Sequence, residues 1–516
     1  TTEPSTQLTE PTPVPQEPEI PGQPEDTKTP DQPEEPPQDE EPSAAEESAP
    51  DREVSETADS AHTNHPICGE TCADGKHTGD SNILSWTGIS KLDEIAGDGN
   101  YYLTGDVTLS AKWTCNHNVA LCLNGYSIKA EHSYPSIMVA QGKAFTLTDC
   151  NSSENPKHFK KSEYTGLWEQ ANDGIITVKG GAVFHPSGKG GCGVYVDQSG
   201  TFTMYGGTIC GNGYNNGGGV YVNNTGTFNM YGGTICGNTG DSGGGVYVSS
   251  NGTFNMSDSA TITGNTGGYG GGVYVSSNGT FNMSGSAAIT GNTATYSGGG
   301  VSVDGTFHMS GSAAIIGNGI TRSNGGGVYV SDKDAKMKVS GDVKIENNWK
   351  GGTLDADTGL YGKGNGSANN LCLVKDGIVT IDDSKGLNST AHIGITTVQK
   401  PRNGQNVQIA SGAKDGVDYT QIFIPDEGYT VSQSFDWLLL NLHQHSWKYE
   451  NVGEDTIKAT CTASGCPNSD GGSVTINKPA HTTYGDGQSE KATLTENNWQ
   501  GLAVNEDAIT YTKGST

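Results

Sequence analysis

Five side chains able to ligate a metal, His62, His65, Cys68, Cys72 and His77, fall within sixteen residues of one another. Imidazoles and thiolates at this density can close a tetrahedral site, so a structural zinc is the cofactor this stretch suggests. Three residues rather than two separate Cys68 from Cys72, and no second Cys-x-x-Cys or His-x₃-His follows nearby. The alternative reading is a small disulfide-tied cap over the start of the next domain.

Acid–base chemistry has little to work with further on. From Gly191 to Ile320 there is no Glu, Lys or Arg, and there are only four acids, Asp197, Asp241, Asp258 and Asp304, and one histidine, His308. Glycoside hydrolysis needs two carboxylates roughly 5–9.5 Å apart. Asp197 and Asp304 share a register four repeats apart, on the order of 19 Å at about 4.8 Å per repeat, which is too far for a dyad. Catalytic alternatives therefore sit in the flanks: Lys157, His158, Lys160, Lys161 and Glu163, or Asp355 and Asp357. The run Gly240-Asp241-Ser242-Gly243-Gly244 copies a serine-protease signature. In the repeat frame it is an inter-repeat turn with no base beside it, and a nucleophile needs one within hydrogen-bond reach.

Aromatic side chains are better placed. Tyr195, Tyr221, Tyr247, Tyr274 and Tyr329 occupy one register, interrupted by Ser302, and Tyr205 and Tyr231 form a shorter pair. Outward rings about 4.8 Å apart would offer a flat amphipathic platform for sugars or a protein surface. The competing reading is a self-stacking ladder that stabilises a sheet.

The eleven cysteines suggest pairs by position. Cys461 and Cys466 share one tight turn. Cys122 and Cys150 are one repeat length apart, and Cys210 and Cys236 hold the same place in adjacent repeats (both Thr-Ile-Cys-Gly-Asn). In-register neighbours stand close enough for a disulfide, which would suit an exported protein; reduced thiols are the other reading.

What positions all these residues is a repeat. Gly-Gly-Gly-Val-Tyr-Val, then Gly-Thr-Phe-Asn-Met, then an Ile-x-Gly-Asn step recur six times, with the first valine at Val194, Val220, Val246, Val273, Val301 and Val328, every 26 to 28 residues. In the copy from Gly217 to Asn238, period-two alternation turns Val220, Val222, Phe228, Met230 and Ile235 inward and Tyr221 and Asn229 outward. Three short strands and three turns make one coil, and five apolar side chains cannot offset the entropy of fixing so long a segment. Coils must stack to stand. They all run the same way, so the stacking is parallel, and its expected hand is right-handed. The asparagines Asn212, Asn238, Asn265, Asn292 and Asn318 are expected at corners, where their backbone tolerates a left-handed conformation and their amides can bond along the axis.

The fold class is thus all-β: a right-handed parallel β-helix with three strands per coil of about 26 residues. Residues 1–60 hold 13 of the 21 prolines, 18 acidic side chains and only Lys28 and Arg52 as bases, and read as a disordered acidic linker. Residues 61–100 form the Cys/His-containing cap, 101–443 the helix, with a loop inserted at 151–172, and 444–516 part of an Ig-like β domain. The net charge of −29 disfavours nucleic acid and anionic membranes as partners. Apolar runs such as Trp437-Leu438-Leu439-Leu440 are far short of a membrane span. With no signal peptide at Thr1, the chain reads as a piece of a longer exported protein.

The Val-Tyr-Val, Thr-Phe-Asn-Met and Ile-x-Gly-Asn coils resemble those of the pectin-lyase-like β-helix superfamily. The runs Tyr101–Leu109 and Leu121–Ile128, with Thr460–Cys466, resemble surface proteins of gut Gram-positive bacteria, in which such a helix is followed by Ig-like repeats. The resemblance implies a secreted or cell-surface location and an adhesin or display scaffold that binds host or dietary glycans or a host surface protein without catalysis. The alternatives are an extracellular polysaccharide lyase or glycoside hydrolase with its site in the flanking loops, and a purely structural wall component.

Overall fold

Strands of only three to five residues dominate the chain because glycine or asparagine interrupts each apolar alternation. A computed structural model describes residues 64–65, 84–150, 157–161, 168–171, 176–178, 181–185, 190–331, 334–402, 405–442, 447–452, 456–462, 470–477 and 493–497. All of them belong to one compact unit, Ser55–Thr516; the acidic linker lies outside the described residues. The chain winds into a parallel β-solenoid of about 10 turns with ~27 residues per coil. A single 3₁₀ turn, Leu92–Glu94, is the helical content among the described residues.

Three parallel sheets run along the solenoid. The phenylalanine sheet stacks Ala144–Thr148, Thr201–Met204, Thr227–Met230, Thr253–Met256, Thr280–Met283 and Thr306–Met309 with no slip of register. The tyrosine sheet stacks Ile137–Val139, Val194–Val196, Val220–Val222, Val246–Val248, Val273–Val275, Val301–Val303 and Val328–Val330. The isoleucine sheet carries Thr208–Cys210, Thr234–Cys236, Thr261–Thr263, Ala288–Thr290 and Ala314–Ile316. The strand His392–Thr397 pairs with both Lys344–Glu346 and Leu371–Leu373, so the last two sheets merge there.

The alternation works as read. Valine, phenylalanine, methionine and isoleucine point inward and are fully buried. Rings of Phe202, Phe228, Phe254, Phe281 and Phe307 stack with centroids 4.7–4.9 Å apart. Each buried ring contributes roughly 1.5–3 kcal/mol, and stacking adds about 0.5–1.5 kcal/mol per neighbour.

The asparagines behave differently from the expected corner role. Gly211, Gly237, Gly264, Gly291 and Gly317 take the positive φ, and Asn347 takes it where no glycine is present. That frees the following asparagine to turn its side chain inside. Asn212, Asn238, Asn265, Asn292, Asn318, Asn348 and Asn370 form one buried ladder, each Nδ2 donating to Oδ1 of the next at 2.9–3.1 Å. Each backbone N–H donates to the same oxygen. The ladder reaches two coils beyond the expected row.

The coil corner at each glycine triplet needs all three glycines. Gly243 has φ +67°, and a Cβ on Gly245 would stand 2.6 Å from the Gly272 carbonyl oxygen of the next coil. A fourth strand then appears where the sequence suggested only an inter-coil turn. Thr239–Ser242, Thr266–Tyr269, Thr293–Ser297, Gly319–Ile320 and Trp349–Lys350 pair in parallel. The central coils therefore have four strands, the extra one being too short and too glycine-rich to show a period-two pattern.

The flanks depart from the regular coil. The first parallel rung is Leu84–Ile89, paired with Gly99–Leu103, within the stretch read as a cap; its Trp86 and Ile89 are buried. The insertion after Ala144–Thr148 folds into an antiparallel sheet of Lys157–Lys161, Trp168–Ala171 and Ile176–Val178 rather than an open loop. At the far end Val407–Ser411, Trp437–Leu442 and Tyr429–Ser434 pair antiparallel. Beyond it lies one antiparallel sheet of Trp447–Asn451, Thr456–Cys461, Asp470–Asn477 and Thr493–Asn497.

Candidate functional site

The Val-Tyr-Val strands put each tyrosine on the outer face while its flanking valines anchor the core. In-register pairing then stacks the rings. Tyr195 and Tyr221 lie 4.8 Å apart, Tyr221 and Tyr247 5.1 Å, and Tyr247 and Tyr274 5.4 Å, all within 18° of parallel. These rings are half-buried. Burial pushes the Tyr195 phenol up to about 12 and raises those of Tyr221, Tyr274 and Tyr329. None of them offers a phenolate near neutrality.

Ser302 interrupts the row and is itself buried, its Oγ 2.9 Å from Ser297 Oγ. Tyr274, last of the continuous stack, donates its hydroxyl to Asp304, which also accepts from the Ser331 hydroxyl. Tyr329 stands apart, beyond the serine. Tyr205 and Tyr231 stack at 5.2 Å. Because ring faces in both rows meet other ring faces, a ligand reaches mainly edges and hydroxyls.

The fourth sheet supplies more exposed rings, which the repeat reading missed. Tyr269 and Tyr296 are 45% and 44% exposed, with centroids 5.1 Å apart and planes tilted by 32°. The Arg322 guanidinium lies 6.0 Å from the Tyr296 ring centre. Their signal was present, since both tyrosines precede a glycine corner, but they do not hold the Val-Tyr-Val register.

The other candidates are spread out. His65 pairs its backbone with Leu84, while His62, Cys68, Cys72 and His77 lie outside the described residues. Among the described residues no group of three or more His, Cys, Asp or Glu could hold a metal ion. Cys210 and Cys236 meet in register as buried thiols with sulfurs 2.9 Å apart, and burial raises the Cys210 thiol. The sulfurs of Cys122 and Cys150 are 3.5 Å apart. Neither pair is bonded as a disulfide in this structure. Cys461 ends a strand opposite Trp447, and Cys466 lies outside the described residues.

The acids serve the backbone more than any reaction centre. Asp197 accepts from Asn223 Nδ2 at 3.1 Å. Asp355 accepts from the N–H groups of Asp357 and Thr358 at 2.9 Å, which holds its carboxyl below the usual range. His308 Nδ1 lies 3.1 Å from Asn282 Oδ1. Ser242 of the protease-like run ends the strand Thr239–Ser242, its N–H donating to the Asn215 carbonyl and its own carbonyl accepting from the Gly217 N–H. Lys157, His158, Lys160 and Lys161 form one strand of the inserted sheet, and Glu163 lies outside the described residues. No helix of the described residues is long and apolar enough to cross a membrane.

No family model matches the sequence, and neither curated proteins nor solved structures yield a match.

Proposed function

We propose that this chain is a non-catalytic scaffold on the surface of a Gram-positive bacterium, acting as an adhesin or display rod that binds glycans or a host surface protein. The observation that carries the reading is the outer surface of the central coils. It combines tyrosine rows with asparagine, serine and threonine, and its few carboxylates are scattered among coils rather than paired. Aromatic rings with polar tips are the groups that recognise saccharides and protein surfaces. A long stack of buried coils is a stiff way to hold such a surface away from its base. The likeness of the coils to pectin-lyase-like surface proteins belongs to the same proposal, as does the Ig-like character of residues 444–516.

A glycan array on the full chain, read together with a reducing-end assay on the same polysaccharides, tests this. Binding without release of reducing ends is expected. New reducing ends would overturn the non-catalytic reading. Tyr247→Ser with Tyr274→Ser separates the two roles of the tyrosine row: a lower melting temperature with unchanged binding assigns that row to stability alone.

A further inference from the structure

The fourth sheet orders its outward charges along the solenoid axis. Asp241 is exposed in the Thr239–Ser242 rung. Ser242 pairs with Tyr269 in the next rung. Tyr296 follows, its ring centre 5.1 Å from that of Tyr269 and its plane tilted by 32°. Arg322 comes next, its backbone N–H on the Thr295 carbonyl and its guanidinium near the Tyr296 ring. Lys350 closes the series, with Nζ 3.4 Å from Asn324 Oδ1. The order is therefore acid, ring, ring, guanidinium, ammonium. At about 4.8 Å per rung, Asp241 and Arg322 lie roughly 14 Å apart along the axis, close to the length of a short oligosaccharide. Arg322 is also the first base after a stretch, Gly191 to Ile320, with no Lys or Arg.

We propose that this strip binds a short saccharide carrying one terminal carboxylated sugar, with neutral sugar units against Tyr269 and Tyr296 and the carboxylate on Arg322. This deepens the glycan-binding reading and rests on it. Tyr269 and Tyr296 are more exposed than the half-buried rings of the Val-Tyr-Val row and are tilted by 32° rather than parallel, so their outer edges and hydroxyls are open to the C–H and O–H groups of a sugar. The guanidinium offers a planar pair of donors that matches a carboxylate. Lys350 adds a second positive charge on the same side. Asp241 sets the polarity: it repels an acidic unit at the opposite end, so a continuous polyanion fits worse than a chain with one charged terminus. A nucleic acid is disfavoured for the same reason.

The test is binding of sialyllactose and of lactose to the full chain, measured by calorimetry, for the wild type, Arg322→Gln, Tyr296→Ala and Tyr134→Ala, with a thermal melt of each. Arg322 and Tyr296 are surface groups, so the first two variants should melt with the wild type. The wild type should prefer sialyllactose by roughly tenfold or more, the scale of one charge-assisted hydrogen-bonded contact. Arg322→Gln should abolish that preference, Tyr296→Ala should weaken both sugars, and Tyr134→Ala, at an exposed ring outside the strip and the tyrosine rows, should change neither. Sialyllactose binding that survives both Arg322→Gln and Tyr296→Ala overturns the strip as the site while leaving glycan binding in place. If the wild type binds neither these sugars nor any member of the array, the glycan-binding reading falls and this inference with it.

Discussion

His185 Nδ1 lies 2.9 Å from Oδ1 of Asn212, and that contact begins a single hydrogen-bonded chain ending on Asp426. Asn212 uses its Nδ2 toward Asn238 and two carbonyls, so its oxygen accepts and the imidazole donates from Nδ1. Every asparagine between them donates in the same direction. At the other end Asn370 gives its backbone N–H and its Nδ2 to the two oxygens of Asp426, at 2.7 and 2.5 Å. The aligned amides point their N–H ends at a carboxylate and their oxygen end at an N–H donor. Each bond polarises the next in a water-free interior.

The middle of this chain should therefore be costly to cut. Asn265→Ala removes the acceptor of both Asn238 donors and the donor to Asn292, leaving buried groups without partners. A loss on the order of 2–4 kcal/mol is expected, from two or more unsatisfied groups, read as a lower urea midpoint. A change within error would show that water enters the ladder and replaces the amide.

The head of the ladder predicts acid sensitivity. Burial holds the His185 imidazole below its ordinary value, with His132 adding to the effect. The unfolded chain then takes up a proton more readily than the folded one. The His185 contribution is thus fully present above the ordinary histidine pKa of about 6.5 and is lost as pH falls below it. The melting temperature should drop as pH falls below about 6.5, and His185→Gln should flatten that drop. Equal slopes for the two proteins would assign the acid response elsewhere.

The tyrosine row predicts the opposite dependence at the alkaline end. The Tyr195 phenol titrates near about 12 in the folded chain, above the unfolded tyrosine value of about 10. Its contribution is intact below pH 10 and declines as pH rises through 12, because the unfolded phenol ionises first. Tyr195→Phe should lessen the fall in melting temperature across that interval. Phenolate absorbance at 295 nm, roughly where ionised tyrosine absorbs, should rise later for the folded chain than for the urea-unfolded one.

The neighbouring thiols of Cys210 and Cys236 predict a latent cross-link. Their strands pair residue for residue, so oxidation joins coils that already touch. Treatment with diamide should yield, among its products, a Cys210–Cys236 disulfide identifiable by peptide mapping, and should raise the melting temperature. Cys236→Ala should abolish that product. Both thiols remaining titratable after prolonged oxidation would show that burial shields them entirely.

The core stack predicts a large truncation cost. Phe254 is fully buried between Phe228 and Phe281. Phe254→Ala should destabilise the chain by about 3–5 kcal/mol, whereas Tyr269→Ala on the exposed fourth sheet should change the urea midpoint little.

Much of this fold was legible from spacing alone. Val220, Phe228 and Ile235 announced the three inward faces of a coil, since a short strand can bury only alternate residues. Their recurrence announced stacking, since one coil cannot cover its own core. The tertiary structure decided the rest, where neighbours rather than local pattern choose the conformation. The Gly-Asn step read as a corner, yet Gly237 makes the corner and Asn238 turns inside, because only a partner such as Asn265 in the next coil makes a buried amide affordable. Thr239–Ser242 read as a turn, yet it is a strand because the coil beyond supplies its hydrogen bonds. Tyr247 was visible as an outward ring, whereas Tyr269 lay in a stretch that read only as an inter-coil turn. Only the tertiary structure, which stacks Tyr247 between the near-parallel rings of Tyr221 and Tyr274 and leaves Tyr269 45% exposed, set the two rings apart.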